Sequence, residues 1–180
     1  PFAAGLGGGT ADAAFMLKLL NEFCSLNIPS DHLELMASSL GADCPFFIRN
    51  TPVFASGIGN IFEPVTLSLN KYYLCLIKPD VSVSTPEAYS LVKPAKPEVS
   101  LKKIIETPVE EWRETMTNAF EKSVFAKRPV IEAIKNALYE EGAVYASMSG
   151  SGSSVYGLFE KPTSLKNQFT SCFVWEGKLE

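Results

Sequence analysis

Pro1-Phe2-Ala3-Ala4-Gly5-Leu6-Gly7-Gly8-Gly9-Thr10-Ala11-Asp12-Ala13-Ala14 opens the chain and decides how the rest is read. Glycines let a backbone turn tightly and bring its N–H groups close to a ligand. The run ends where a helical period begins. Ala13, Met16, Leu17 and Leu20 recur at i, i+3, i+4 and i+7, with Lys18, Asn21 and Glu22 on the other face. This predicts a helix over 11–23. A helix start adds unpaired N–H donors and a partial positive charge, which together suit an anion such as phosphate. Thr10 can cap the helix, or its hydroxyl can meet a phosphate or a metal ion. Glycine content alone supports equally a flexible connector ahead of a capped helix.

Two other phosphate signatures fit badly. A P-loop needs Gly-Lys-Ser/Thr, and no lysine follows these glycines. The dinucleotide fingerprint needs a third glycine where Thr10 stands, and a strand before it.

Working outward, a second helix is predicted after Pro29, capped by Ser30 or Asp31, with Asp31 and Glu34 at capping-box spacing. Leu33, Met36, Ala37 and Leu40 form its stripe and Gly41 its stop. Strands are predicted at 46–56 and 61–67, around Gly57-Ile58-Gly59, and at 72–77, ending before Pro79. The Pro- and Lys-rich stretch 92–100 reads as a loop, and the basic residues of 92–103 as a solvated face. Helical patterns follow at 101–106, 109–127 and 129–141, the last started by Pro129. A strand at 143–147, a Ser/Gly turn, a strand at 153–159, a short helix after Pro162 and a strand at 171–175 complete the chain. The class is α+β. The second half alternates in the split manner of a ferredoxin-like domain, with a soft boundary near residue 70.

Of the 180 residues, 46% are apolar and 20% charged, and the formal net charge is -4. A nucleic-acid partner needs a basic surface, so none is expected. Cys24, Cys44, Cys75 and Cys172 form no C-x-x-C pair, and His32, the one histidine, reads as a surface residue. No protein-built metal centre is expected, and reduced thiols suit a cytoplasmic setting. No membrane partner and no signal peptide are expected. With no methionine and no strand ahead of the glycine run, the chain reads as a fragment or as a late start.

Three further stretches carry candidate chemistry. Gly41-Ala42-Asp43-Cys44-Pro45-Phe46-Phe47 sets a carboxylate among apolar neighbours. An isolated aspartate of this kind is more often a cap or an ion-pair partner than a catalyst. Ser147-Met148-Ser149-Gly150-Ser151-Gly152-Ser153-Ser154 reads by itself as a hairpin turn. Ser84-Thr85-Pro86-Glu87-Ala88-Tyr89 carries an aromatic that fits a core or a surface equally.

Taken together, their order and spacing resemble the GHMP kinases, the family of galactokinase, homoserine kinase, mevalonate kinase and phosphomevalonate kinase. Pro1 to Ala11 resembles the family's P-x-x-x-G-L-G-S/G-S/G-S/T-A loop, and Gly41 to Phe47 its G-A-D-x-P-F/V-F segment. Ser147 to Ser154 is similar to its third motif. Ala55-Ser56-Gly57-Ile58-Gly59 and Thr85-Pro86-Glu87-Ala88-Tyr89 resemble the branch whose substrate is 4-diphosphocytidyl-2-C-methyl-D-erythritol. Thr10-Ala11 stands where that branch has Ser-Ser, and Ser84 where it has proline. The resemblance extends to about residue 160.

The resemblance implies part of a ribosomal-protein-S5-domain-2-like N-terminal ATP-binding domain over 1–70, then a ferredoxin-like C-terminal domain over 71–180. It implies ATP and Mg²⁺ as cofactors, with Gly5, Leu6, Gly7, Gly8, Gly9 and Thr10 around the phosphates. Asp43 would act on the substrate hydroxyl as general base. Thr85 and Tyr89 would border the substrate, and Gly150 and Gly152 would shape the site. A homodimer is left open. In the family a lysine accompanies the aspartate from upstream of Pro1, so these 180 residues alone are expected to show little or no activity. The other readings are another GHMP kinase, a nucleotide-binding remnant and, least supported, a dinucleotide enzyme.

Overall fold

The computed structural model describes residues 4–92, 95 and 97–180. Pro1, Phe2 and Ala3 of the opening stretch, and Lys93, Pro94 and Lys96 of the expected loop, lie outside the described residues. Two compact units emerge. Residues 7–67 form one, and residues 4–6 with 68–180 form the other, so the division runs through the glycine stretch itself.

In the 7–67 unit, α1 (Gly8–Phe23) begins three residues earlier than the apolar period suggested. Its buried face centres on Ala14, flanked by Ala13 and Leu17, whereas Met16 and Leu20 face solvent. In α2 (Ser30–Ser38), Leu33 and Ala37 are buried and Met36 is exposed, as is Leu40 beyond its end. Both helices are apolar on more than one face, so spacing alone does not say which face is covered. The expected caps do not form: Pro29 holds the N-cap of α2 and no side chain caps it. Asn21 instead clips the connection, donating from Nδ2 to the Ile28 carbonyl at 3.1 Å and accepting the Ile28 N–H at 2.9 Å.

The strand expected from residue 46 is instead a helix, α3 (Cys44–Arg49), with Pro45 in its first turn and Asn50 closing it at φ 53. Proline suits a helix start, and Asn tolerates the left-handed conformation that stops one. A short apolar run such as Phe46-Phe47-Ile48 is ambiguous by period, and these flanking signals decide it. The hairpin of β1 (Val53–Ser56) and β2 (Ile61–Pro64) follows, in register from Val53↔Pro64 to Ser56↔Ile61.

The larger unit is built on β3 (Tyr73–Lys78), β4 (Tyr145–Met148), β5 (Val155–Phe159) and β6 (Phe173–Lys178), in the order β4-β5-β3-β6 with every pair antiparallel. This order places the first strand in the middle, as in ferredoxin-like sheets. Cys75, Ile77, Ala146, Met148, Val155 and Phe159 pack with Ile131, Ile134 and Leu138 of α8 (Pro129–Glu140) and with Val124 and Phe125 of α7 (Glu121–Lys127). Pro129 opens α8 as expected. No helix follows Pro162. The Glu176 carboxylate accepts from the Thr163 hydroxyl at 2.6 Å and the Leu165 N–H at 2.9 Å, and the segment runs as turns.

The remaining helices are α4 (Thr85–Leu91), α5 (Leu101–Ile104) and α6 (Trp112–Thr115), the last preceded by a 3-10 turn at Val109–Glu111. The helix expected over 109–127 is therefore interrupted at residues 116–120. Asn118 leaves the helical path to bond elsewhere in the unit, accepting the Phe120 N–H on the way at 2.9 Å.

Burial sorts the thiols. Cys75 is fully buried, and burial first, then the Glu176 charge, pushes its thiol up to about 12. Burial, then Asp43, raises Cys44. The thiolate is the reactive species. At pH 8 a thiol reagent should therefore modify exposed Cys24 first and half-buried Cys172 next, leaving Cys44 and Cys75 until denaturation. Mass spectrometry of the labelled peptides reads the order.

Candidate active site

Within the 7–67 unit, the glycine run becomes the start of a helix. Gly7 holds the N-cap of α1 at φ 64, and the Ala11 N–H closes onto the Gly7 carbonyl at 2.8 Å. Gly8, Gly9 and Thr10 fill the first turn, where N–H groups have no partner inside a helix. Gly8 and Gly9 are exposed. A Cβ added at Gly9 would meet nothing within 4 Å, which leaves open space beside those donors. Thr10 is not the cap, because it sits inside the first turn. Its hydroxyl donates to the Gly7 carbonyl at 2.8 Å, so its oxygen keeps its acceptor capacity.

Asp43 stands at the N-cap of α3 without a side-chain cap hydrogen bond, and it is exposed rather than buried. The burial cost expected from its apolar neighbours does not arise, since Cys44, Pro45 and Ile48 turn inward and the carboxylate turns out. Gly59, from the β1–β2 turn, comes close: a Cβ there would lie 3.0 Å from Asp43 Oδ1. On the same unit, a groove of about 250 Å³ is lined by Glu34, Pro45, Phe46, Arg49 and Phe62 among others. Its arginine, Arg49, is paired with Glu34, so the groove is a poor phosphate site.

Within the larger unit, the front of the glycine stretch meets the Ser/Gly loop. The Gly5 carbonyl accepts from the Ser149 hydroxyl at 2.7 Å, and the Ala4 carbonyl from the Ser154 N–H at 3.1 Å. The approach is so close that a Cβ on Gly5 would lie 2.0 Å from the Ser149 carbonyl oxygen. Gly150 is exposed and Gly152 buried. Thr85 and Tyr89 lie one helical turn apart on α4, both exposed, with Ser84 capping the helix through the Glu87 N–H at 3.2 Å. Thr85 Oγ1 lies 3.4 Å from Ser151 Oγ, and the Tyr89 ring packs edge-to-face on Phe120 at 4.9 Å.

Gly5, Gly150, Gly152, Thr85 and Tyr89 thus share one unit, and Gly7, Gly8, Gly9, Thr10 and Asp43 share the other. Residues that sequence reading missed are Ser149, which ties the loops, and Asn118, Phe120 and Glu121, which brace them. No local pattern marks them, because the groups they hold lie far along the chain.

Residues 1–51 match the family described as GHMP kinases N terminal domain, and residues 100–173 that described as GHMP kinases C terminal. A 4-diphosphocytidyl-2-C-methyl-D-erythritol kinase of Parabacteroides distasonis is 71% identical over 99% of this chain and 67% of its own length. One from Bacteroides thetaiotaomicron is 58% identical over 99% of the chain and 66% of its own length. The chain thus spans about two thirds of these curated relatives. A crystal structure of a 4-(cytidine 5'-diphospho)-2C-methyl-D-erythritol kinase superposes with TM-score 0.84 at 29% identity, covering 98% of this chain and 66% of that one. Homoserine kinase from Cytophaga hutchinsonii shares the fold, with TM-score 0.61 at 16% identity over 99% of this chain and 67% of that one. The motifs, the sheet order and these likenesses agree: the chain belongs to the GHMP kinases, in the branch of the 4-diphosphocytidyl-2-C-methyl-D-erythritol kinases.

Proposed function

We propose that this chain carries the greater part of an ATP-dependent kinase that phosphorylates the 2-hydroxyl of 4-diphosphocytidyl-2-C-methyl-D-erythritol, a step of non-mevalonate isoprenoid synthesis. The observation that carries the reading is 71% identity, over 99% of the chain, to a kinase named for that substrate. Residues 1–70 serve as the ATP-binding part and 71–180 as the C-terminal part.

Phosphoryl transfer asks a protein mainly for positioning and charge stabilisation. The exposed first turn of α1 supports a phosphate role for Gly7, Gly8, Gly9 and Thr10, because unpartnered N–H groups favour anions, and the family motif extends that role to Gly5 and Leu6 just ahead of the helix. Asp43 accepts the proton of the attacking hydroxyl, and its exposure and lack of a cap bond leave it free to do so. Thr85 and the exposed ring of Tyr89 face the alcohol substrate, and Gly150 and Gly152 shape the site around it.

Mg²⁺, when bound, neutralises charge on the phosphates. Thr10, its proton directed to Gly7, offers lone pairs suited to such an ion.

The test is ADP release by the complete gene product containing residues 1–180, with 4-diphosphocytidyl-methylerythritol, homoserine and mevalonate offered in parallel. Turnover confined to the first supports the reading. Preference for either of the others moves the chain to another GHMP activity. In the same assay Gly9→Ala is expected to raise the KM for ATP about tenfold, since the new methyl fills the space a phosphate would occupy. It should not destabilise the protein, because alanine is favoured over glycine in a helix by up to about 1 kcal/mol.

A further inference from the structure

Between α6 and α7 the chain leaves the helix at Met116 and re-enters it at Glu121. The turn between them grips the Ser/Gly loop. Asn118 Nδ2 donates to the Met148 carbonyl and to the Gly150 carbonyl, both at 2.8 Å, while its Oδ1 accepts the Phe120 N–H at 2.9 Å. Glu121 is 8% exposed. Its Oε1 accepts the Met148 N–H at 2.9 Å and the Ser147 hydroxyl at 3.3 Å, and its Oε2 accepts from Lys135 Nζ at 2.6 Å. Both backbone groups of Met148 and the carbonyl of Gly150 are therefore held by side chains of a single short turn. The same turn supplies Phe120, which supports the exposed ring of Tyr89.

A carboxylate is unfavourable inside a protein unless it is paired and hydrogen-bonded. An asparagine inside an apolar helical pattern interrupts that helix. Local rules broken together at one place point to a functional demand. Here the demand is rigidity, because a loop that shapes a reaction site is effective only when its own backbone is fixed.

We propose that Asn118, Phe120 and Glu121 are positioning residues for phosphoryl transfer. Asn118 and Glu121 set the backbone of Met148–Gly150, and Phe120 sets the ring of Tyr89. This rests on the kinase reading above. None of the three is assigned contact with a reacting atom.

The experiment measures kcat and both KM values in the complete gene product for wild type, Asn118→Ala, Glu121→Ala, Glu121→Gln and Phe120→Leu, with folding followed by tryptophan fluorescence. Asn118→Ala is expected to lower kcat roughly a hundredfold, the scale of a small misplacement of a reacting group. Its KM for ATP should stay within about threefold, the pattern of an interaction used in the transition state rather than in binding. Glu121→Gln keeps an acceptor for the Met148 N–H and should recover much of the activity lost in Glu121→Ala. Phe120→Leu should raise the KM for the alcohol and leave that for ATP unchanged. Wild-type kcat in folded Asn118→Ala overturns the proposal. So does a loss in every variant that only tracks the unfolded fraction. Absence of turnover in the wild type instead rejects the kinase reading itself, so the two failures are told apart.

Discussion

Asp43→Asn is expected to lower kcat for phosphoryl transfer roughly a thousandfold, within the range ascribed to general acid–base groups. The asparagine keeps the shape of the side chain and removes its basicity. Stability should hardly move, because Asp43 is exposed and makes no side-chain cap bond on α3. Surface changes of this kind usually stay within about 0.5 kcal/mol. Asparagine is also an accepted N-cap residue. A matched pair of measurements separates the roles: steady-state kinetics for the chemistry and thermal unfolding by circular dichroism for the fold. A full-rate Asp43→Asn enzyme would remove the general-base assignment and leave Asp43 as a helix-start residue. A stability loss equal to the activity loss would reassign it as structural.

Among the described glycines, Gly5→Ala should produce the largest structural effect. Gly5 sits at φ +71, and a Cβ there would lie 2.0 Å from the Ser149 carbonyl oxygen and 2.9 Å from that of Gly152. Both contacts are backbone, so no side-chain rotamer relieves them. The left-handed conformation alone costs a non-glycine residue about 1–2 kcal/mol. With the clash added, a loss of roughly 3 kcal/mol is expected, in the range reserved for strained positions. For a chain of this size that lowers Tm by about 6–12 °C. Trp112 and Trp175 both lie in the unit that holds Gly5, so tryptophan fluorescence follows this unit. An unchanged transition would mean that the two loops do not pack as described. Gly9→Ala should behave in the opposite way. One glycine is needed for close backbone packing, the other for open space beside helix N–H groups.

The candidate site was legible in the sequence to the extent that its chemistry is local. Glycines before a helix, an aspartate before a proline, and a Thr/Tyr pair four residues apart keep their character wherever the chain goes. The Asp43 environment was less legible, because flanking apolar residues suggested burial while α3 turns them inward and the carboxylate outward. The brace made by Asn118 and Glu121 was not legible at all. Its partners, Met148 and Gly150, lie some thirty residues away, and side-chain-to-backbone bonds of that span leave no periodic trace.

By itself, then, the sequence determined the α+β class, the strands expected at 72–77 and 153–159 and found at 73–78 and 155–159, the helix begun by Pro129, and the three motifs that mark the family. These depend on period, on proline and glycine, and on residue order, all of which act over a few residues. Tertiary structure alone decided three things. It chose Ala14 over Met16 as the buried face of α1. It broke the helix expected over 109–127, and it replaced the helix after Pro162 with turns pinned by Glu176. In each case a distant partner, or the choice of which apolar face to cover, outweighed a local preference worth less than about 1 kcal/mol per residue.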